Sequence, residues 1–213
     1  IHNIDLRYEL YPSKNEQITL AAFYKRFDNP IEWTYTVAGG TNLIYSYENA
    51  KSANNYGVEL DIRKSLDFIG LRNFSLSLNG ALIHSRVNFA KGSRNENRPM
   101  QGQSPYLINA GLFYNNEQQQ LVVSLLYNRI GKRIIGVGRS EGSSASEDNA
   151  RVPDSYEMPR DVIDLSISKK FGDHLEIKAN IRDLLAQSVS YKQFDDVTLK
   201  NGTSKEVKQI TRQ

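Results

Sequence analysis

Apolar and polar side chains alternate with a period of two over residues 104–114. One set of alternate positions is apolar and has a tyrosine at each end: Tyr106, Ile108, Ala110, Leu112 and Tyr114. The other set is smaller and mixed: Leu107, Asn109, Gly111 and Phe113. A period of two predicts a β-strand with one apolar face. Aromatic rings at both ends of an aliphatic run are typical of a strand that crosses a bilayer, because amphipathic rings favour the headgroup level.

The length of this strand suits a membrane. Its eight steps rise about 26 Å, and a tilt of about 45° reduces this to about 19 Å along the membrane normal. The apolar band of an outer-membrane barrel is about 25 Å tall. A half-buried strand of a soluble β-sandwich would show the same alternation, so the rest of the chain has to decide.

Seven further stretches alternate in the same way, and the sequence therefore predicts an all-β protein of eight antiparallel strands. The predicted strands cover residues 3–11, 17–27, 55–66, 74–85, 106–114, 121–128, 161–171 and 175–182. Gly172-Asp173 is a two-residue hairpin signal, and another strand could begin at Val207 after a looser tail from Ala186. No stretch keeps a helical period long enough to predict a helix.

The connections between these strands alternate in length. Short connections lie near Pro12, Phe68, Asn115 and Gly172. Long connections lie near Gly39, Asn95, Ser144 and Lys200. In an up-and-down sheet this places every short turn at one end and every long loop at the other, which is typical of outer-membrane barrels. Greek-key sandwiches mix both lengths at both ends, so the alternation favours a membrane barrel.

Composition narrows the function classes further. The 213 residues include no cysteine, which excludes a disulfide framework and thiolate chemistry, and the net charge of +3 is too small to suggest nucleic acid as a partner. A mean hydropathy of −0.54 excludes a helical membrane protein. A barrel is compatible with it, because its strands hide only alternate residues from water.

The sequence predicts no catalytic, cofactor-binding or metal site. Gly138-Arg139-Ser140-Glu141-Gly142 matches the G-x-S-x-G pattern of hydrolases, but a flexible Ser-rich loop follows it where a helix would be needed. The three histidines, His2, His84 and His174, have no metal-ligand spacing. The loop acids Glu147, Asp148, Asp154, Asp195 and Asp196 could supply oxygen ligands to Ca²⁺, and solvated loop charge is the better interpretation.

Two groups of residues are candidates for contact with other molecules. Charged residues on the non-apolar faces of three strands should line a polar interior: Asp5, Arg7, Glu9, Glu59, Asp61, Arg63, Glu176, Lys178 and Arg182. Aromatic residues lie in the long second connection or its stems, and could contact a ligand or extend an aromatic girdle: Trp33, Tyr35, Tyr45 and Tyr47.

Several segments resemble the C-terminal half of the barrel of TonB-dependent outer-membrane receptors, especially those with a carboxypeptidase-regulatory-like N-terminal domain. One of them is Arg98-Pro99-Met100-Gln101-Gly102-Gln103-Ser104-Pro105-Tyr106-Leu107-Ile108-Asn109, in which Gln101-Gly102-Gln103-Ser104-Pro105-Tyr106 is the most specific part. Ile1–Glu9, Ile181–Gln187 and Lys25–Glu32 also resemble this family. The resemblance implies a 22-stranded barrel with a plugged lumen, of which these would be about eight strands.

This resemblance implies that residues 1–213 are a C-terminal part of the barrel, with the plug domain and the last strand absent. It further implies the outer membrane of a Gram-negative bacterium as the location. The expected partners are outer-membrane lipid, the plug domain of the parent chain and, through the parent chain, the TonB energy-coupling complex. The ligand would be a scarce nutrient such as a siderophore, haem, vitamin, peptide or glycan.

Three other functions stay open at this point. A small self-contained outer-membrane barrel could act as an anchor or adhesin. A soluble secreted β-sandwich could bind glycans through Trp33 and its neighbouring tyrosines, and it would bury the apolar residues between two sheets. A lipase-like outer-membrane enzyme comes last, and it would need Ser140 for hydrolysis. We therefore expect a non-enzymatic uptake receptor.

Overall fold

The computed structural model describes residues 1–37, 43–91, 93, 95, 97–138, 153–195 and 205–212, and only the backbone of residues 35–37, 43–45, 195 and 205–212. The described residues form fourteen strands and one 3-10 turn, Asp67–Ile69. The strands are β1 (His2–Leu10), β2 (Gln17–Asp28), β3 (Ile31–Val37), β4 (Leu43–Asn49), β5 (Ser52–Ser65), β6 (Phe74–Asn88), β7 (Tyr106–Asn116), β8 (Leu121–Ile130), β9 (Arg133–Gly136), β10 (Ser155–Glu157), β11 (Asp161–Phe171), β12 (Leu175–Ile181), β13 (Val189–Asp195) and β14 (Lys205–Arg212).

Eight of these strands form one antiparallel sheet in the order β1-β2-β5-β6-β7-β8-β11-β12. These are the eight strands that the alternation predicted, and each pairs with its predecessor and successor among them. The all-β, up-and-down fold class is therefore confirmed. The edge strands β1 and β12 are not paired with each other in the described sheet, so the eight strands form an open wall and not a closed barrel.

Register places the apolar positions of all eight strands on one face, because directly opposed residues of an antiparallel pair point to the same side. Leu20 lies opposite both Tyr8 and Leu60, for example, and Leu112 lies opposite both Leu76 and Leu125. We call this side the apolar face and the opposite side the polar face. A shift of one residue in any strand would exchange the two sets, so the alternation and the register support each other.

The long and short connections are separated as predicted. Residues 11–16, 66–73, 117–120 and 172–174 form short turns at one end of the sheet. The described parts of the long connections, within residues 29–51, 89–105 and 131–160, lie at the other end, which we call the rim. The predicted positions Gly39, Ser144 and Lys200 within long connections lie outside the described residues. The turn after β11 has three residues, one more than expected, and Gly172 adopts φ +62° in it.

The long connections contain more structure than the sequence predicted. β3 and β4 form a two-stranded hairpin where an aromatic-rich connection was expected. β9 and β10 lie in the connection expected to be irregular, and they pair with β13 and β14 of the tail in a sheet of order β14-β13-β10-β9. β9 and β10 have only four and three residues, and β10 pairs with β13, which is distant in sequence, so their local pattern gave little sign of pairing.

The buried core is small and lies near the rim. Ala50, Ala53, Val87 and Phe89 form a buried cluster against which Phe27 and Met100 pack. The apolar face, by contrast, is uncovered: Leu6 is 73% exposed and Leu60 is 42% exposed. A sandwich would bury this face against a second sheet, so the soluble sandwich is not favoured. No helix in the described part of the chain is long and apolar enough to cross a membrane.

Candidate functional site

The apolar face carries a row of aromatic rings near each end. At the rim end, Tyr24, Tyr56 and His84 occupy opposed positions on β2, β5 and β6, and the Tyr56 and His84 rings are 5.0 Å apart. At the turn end, the rings of Phe74 and Tyr114 lie 4.9 Å apart. Ten residues of β6 separate the two rows, about 33 Å along the strand or about 23 Å along the normal at a 45° tilt. This matches the apolar band of an outer-membrane barrel.

The polar face carries a row of hydrogen-bonded side chains across four neighbouring strands. Asn128 donates to Asn109 (2.6 Å), Asn109 donates to Asn79 (3.2 Å), and Asn79 donates to Asp61 (3.5 Å). The four residues are directly opposed in register from β5 to β8. Each amide can donate to one neighbour and accept from the other. The row therefore crosses the sheet nearly at right angles to its strands.

Eight of the nine charged residues predicted to line an interior share this polar face: Asp5, Arg7, Glu9, Glu59, Asp61, Arg63, Glu176 and Lys178. The ninth, Arg182, lies one residue beyond the end of β12. Arg7 and Glu9 form an ion pair along β1, and Lys178 lies 3.3 Å from Glu176 on β12. The sheet thus collects these residues on one side, and their contact with an interior stays a prediction.

The four predicted ligand-contact aromatics all lie on the β3–β4 hairpin. Trp33 pairs with Tyr47 and Tyr35 pairs with Tyr45 in the backbone register. The rings of Trp33 and Tyr47 are 4.3 Å apart, and the two residues are 41% and 61% exposed. The hairpin is a separate two-stranded sheet and does not extend the eight-stranded one. The Trp33 and Tyr47 rings therefore form a small exposed aromatic surface at the rim, and contact of the four aromatics with a ligand stays a prediction.

The alternate positions of the same hairpin are polar and covered. Glu32 and Thr34 are buried, and Glu48 is half-buried. Asn95 exchanges hydrogen bonds with the Thr34 hydroxyl and donates to Glu48, and Ser93 also donates to Glu48 (3.0 Å). The segment that follows β6 thus supplies the polar partners that these hairpin side chains need when they leave water.

Arg98 makes the strongest of these contacts. Its Nη2 lies 2.9 Å from the Glu32 carboxylate, with both side chains only 8% exposed, and it also donates to the Trp33 carbonyl (3.4 Å). The guanidinium lies over the Phe89 ring, 5.6 Å from its centre. The Arg98 Nε has no hydrogen-bond partner among the described residues. A planar, weakly hydrated guanidinium suits such a buried pair better than an ammonium would.

A cavity of about 420 Å³ opens between the hairpin and β9. Ile31, Glu32 and Trp33 line one side, Arg133, Ile134 and Ile135 line the other, and Gln101 and Gly102 lie between them. Gly102 N–H donates to the Ile134 carbonyl (2.8 Å) and Gln101 Nε2 donates to the Ile135 carbonyl (3.0 Å). The Gln101 Oε1 is buried without a partner among the described residues. The cavity lining thus combines apolar side chains with the charged residues Glu32 and Arg133.

Other predicted positions carry little chemistry. Residues 139–142 of the G-x-S-x-G match, Glu147, Asp148 and Asp196 lie outside the described residues. Asp154 accepts a hydrogen bond from the Gly138 N–H (2.6 Å). Within the described ranges, no group of three His, Asp or Glu side chains is arranged to hold a metal ion.

The site residues that the sequence did not single out individually are Glu32, Glu48, Asn95 and Arg98. Glu32 and Arg98 lie inside segments whose family resemblance was clear, yet nothing in either segment says that they meet. They are 66 positions apart, and only the folded hairpin brings them into contact. The alternation of apolar and polar residues over 31–37 was the one available signal, since it predicts a two-faced strand.

An open antiparallel wall with an exposed apolar face, two aromatic rows and all long loops at one end defines part of an outer-membrane β-barrel. The family described as TonB dependent receptor-like, beta-barrel matches residues 1–184. The chain belongs to this family. Its place is therefore the outer membrane of a Gram-negative bacterium. No significant match is found among curated proteins.

Solved structures with a similar fold include two receptors and an iron transporter. The ferric yersiniabactin uptake receptor FyuA from Yersinia pestis is 16% identical, with a TM-score of 0.57 over 99% of this chain. The siderophore receptor PirA from Acinetobacter baumannii is 15% identical, with a TM-score of 0.59 over 87%. The FrpB iron transporter from Neisseria meningitidis is 11% identical, with a TM-score of 0.57 over 89%. The chain spans only 27–28% of the length of these proteins.

Proposed function

We propose that this chain is part of the barrel wall of a receptor that imports a scarce nutrient across the outer membrane. One observation carries the proposal: the wall exposes a membrane-height apolar face while all its long connections gather at one end. A purely structural anchor would not need a built rim. The hairpin, the tail sheet and the cavity between hairpin and β9 give the rim a defined shape suited to capture a ligand.

The polar face would line the interior and hold the plug domain of the parent chain. This is supported by the hydrogen-bonded row from Asp61 to Asn128 and by the charged residues on β1, β5 and β12, which would be costly against lipid. The TonB energy-coupling complex would then act on the receptor through the plug. The barrel wall itself has no catalytic step in this account, because binding at the rim and rearrangement of the plug suffice for transport.

The exposed rings of Trp33 and Tyr47 would make the first contact with the ligand. Aromatic rings supply large contact area at a low entropy cost, and they are enriched among the residues that dominate binding energies. A ferric siderophore is the first ligand class to test, because FyuA and PirA are named as receptors for such molecules. Haem, vitamins, peptides and glycans are the remaining classes.

The test uses the full receptor that contains this chain, expressed in a Gram-negative host that lacks its own uptake receptors. Cells would be given radiolabelled ferric siderophore, haem, cobalamin, an oligopeptide or an oligosaccharide, each with and without functional TonB. We expect TonB-dependent accumulation of one class. The double variant W33A/Y47A should weaken binding of that ligand at least tenfold, since central aromatic contacts are each worth about 2 kcal/mol or more.

The matched control is Y24A/Y56A, which removes two aromatic rings from the membrane-facing row instead of the rim. It should leave ligand binding unchanged while the receptor stays in the outer membrane. Absence of TonB-dependent accumulation for all five classes would contradict the proposed function. Loss of binding in Y24A/Y56A but not in W33A/Y47A would contradict the role of the hairpin.

A further inference from the structure

We infer that Arg98 is a positioning residue that fixes the β3–β4 hairpin on the rim. Its buried side chain bonds β3 of the hairpin and its backbone bonds β6 of the wall. The inference goes beyond the proposed uptake, because it concerns the position of the hairpin in the absence of any ligand. A failure to transport any nutrient would leave it standing.

Arg98 is anchored to the wall through its backbone. Its backbone N–H and carbonyl pair with Val87 at the rim end of β6 (3.3 and 2.8 Å). Val87 is fully buried in the cluster with Ala50, Ala53 and Phe89. The Arg98 backbone is therefore tied to the most closely packed part of the rim, and its side chain starts from a fixed point.

The Arg98 side chain contacts the hairpin through its guanidinium group. Nη2 bonds both the side chain of Glu32 and the carbonyl of Trp33, which are consecutive residues of β3. A fork that holds a side chain and a backbone atom together restrains both the position and the rotation of the strand. Because the bonded Glu32 points away from solvent, its neighbour Trp33 is turned towards solvent. Arg98 thus sets the direction of the aromatic pair through the Glu32 side chain and the Trp33 carbonyl.

The segment that follows Arg98 bonds the other side of the cavity. Three and four residues after Arg98, Gln101 and Gly102 bond the carbonyls of Ile135 and Ile134 on β9. One short stretch of chain therefore holds the hairpin at one end and β9 at the other, and the cavity lies between these two attachments. Loss of the Arg98 attachment should let the hairpin move relative to β9 and to the wall. This gives a structural role to the Arg98–Gln103 part of the segment with the strongest family resemblance.

The test measures distances by pulsed electron paramagnetic resonance in the full receptor reconstituted in lipid nanodiscs. One spin-label pair, at Y47C and L125C, reports the hairpin against the wall. A second pair, at L6C and L125C, reports the wall alone across β1 and β8. This chain has no native cysteine to add background. The variants are R98Q, E32Q and the conservative R98K, and R26Q is the matched control because it breaks the exposed Arg26–Asp28 pair.

We expect a narrow hairpin–wall distance distribution in the parent receptor, at least twofold broader in R98Q and E32Q, and intermediate in R98K. R26Q should leave it unchanged, and the β1–β8 distribution should stay the same in every variant. The inference would be overturned if R98Q and the parent receptor gave the same hairpin–wall distribution, whether narrow in both or broad in both. It would also be overturned if R26Q broadened this distribution as much as R98Q does. If R98Q also broadens the β1–β8 distribution, the hairpin–wall distributions of E32Q and R98K are compared with that of the parent receptor instead. Disturbance of the wall in those variants too would assign Arg98 to barrel folding and overturn its positioning role.

Discussion

Three glycines in the eight-stranded sheet have very different surroundings. A Cβ added to Gly57 would lie 2.4 Å from the Leu82 carbonyl oxygen and 3.0 Å from the Phe23 ring. A Cβ at Gly111 would meet only side chains, those of Phe113 and Leu126, and at Gly80 it would meet nothing closer than 3.9 Å. A backbone oxygen cannot move aside as a side chain can, so only Gly57 is required by close approach of the neighbouring strand.

We therefore expect G57A to destabilise the barrel by about 1–3 kcal/mol, the usual cost of overpacking. G111A should cost less because the Phe113 ring can turn, and G80A should cause no loss. The measurement is the free energy of unfolding of the receptor in detergent micelles, followed by tryptophan fluorescence. Equal stability of G57A and G80A would contradict the close contact between β5 and β6 at this point.

A second residue-scale prediction concerns the turn after β1. The Lys64 ammonium donates to the Glu16 carboxylate at 2.8 Å, and Glu16 is only 10% exposed. This hydrogen bond lowers the pKa of Glu16 below its ordinary value of 4.5. Because the carboxylate is favoured in the folded state, its stabilising effect is present above pH 4.5 and is lost as the pH falls through the lowered pKa.

E16Q should accordingly lower the thermal unfolding midpoint at pH 7, and the difference from the parent receptor should shrink towards about pH 2 as the Glu16 carboxylate becomes protonated. The measurement is a series of unfolding curves of both proteins between these two pH values. A difference between the two proteins that persists unchanged at the acidic end would mean that Glu16 stabilises the turn by some contact other than its charge.

At the scale of the strands, the outward direction of the apolar residues determines the effect of a charge. An arginine near the middle of a lipid-facing strand costs about 2–4 kcal/mol, and the cost falls to about 0–1 kcal/mol near the interface. Leu60, in the middle of β5, and Leu71, in the turn before β6, are exposed to a similar extent, 42% and 45%. Leu60 and Leu71 differ in their position along the strands, and therefore in membrane depth, but not in their exposed fraction.

L60R should therefore reduce the stability of the receptor in lipid vesicles by about 2–4 kcal/mol, and L71R by less than about 1 kcal/mol. Urea-dependent unfolding in vesicles measures both. The same loss for both variants, or a larger loss for L71R, would contradict the membrane position of the apolar face.

The strands also show what the sequence could and could not predict. All eight wall strands were predictable, because each has one apolar side and its apolar residues therefore recur at alternate positions. β3 has the alternation too, but its covered residues Glu32 and Thr34 are polar, since their partners are Arg98 and Asn95. Such polar partners are distant in sequence, so neither the hairpin's orientation nor the cavity beside it could be derived from local pattern.

At the scale of the whole molecule, the described strands of the wall form an open sheet with two edges. Its eight strands leave the backbone groups of β1 and β12 at the two edges, and such edges pair readily with further strands. The family match and the 27–28% coverage of complete receptors agree with a wall that is continued by other strands. The curvature and size of the complete barrel follow from those strands and not from this pattern alone.

The central claim is that the two faces of this wall meet different surroundings, lipid on one side and a polar interior on the other. It is tested most directly by single cysteines in the full receptor, labelled with a fluorophore that lipid-borne groups quench. Ile108 and Leu112 represent the apolar face, and Asn109 and Ser124 represent the polar face. Ser124 is preferred to Gly111, where a side chain would press on Phe113.

We predict strong quenching at Ile108 and Leu112 and none at Asn109 and Ser124. When the quencher is placed further along the lipid chain, towards the bilayer centre, quenching should be strongest for the labels that lie near the bilayer centre. Protection of Ile108 and Leu112 from both lipid-borne and aqueous quenchers would mean that the apolar face is covered by protein. That result would contradict the membrane wall and with it the account of a receptor for nutrient uptake.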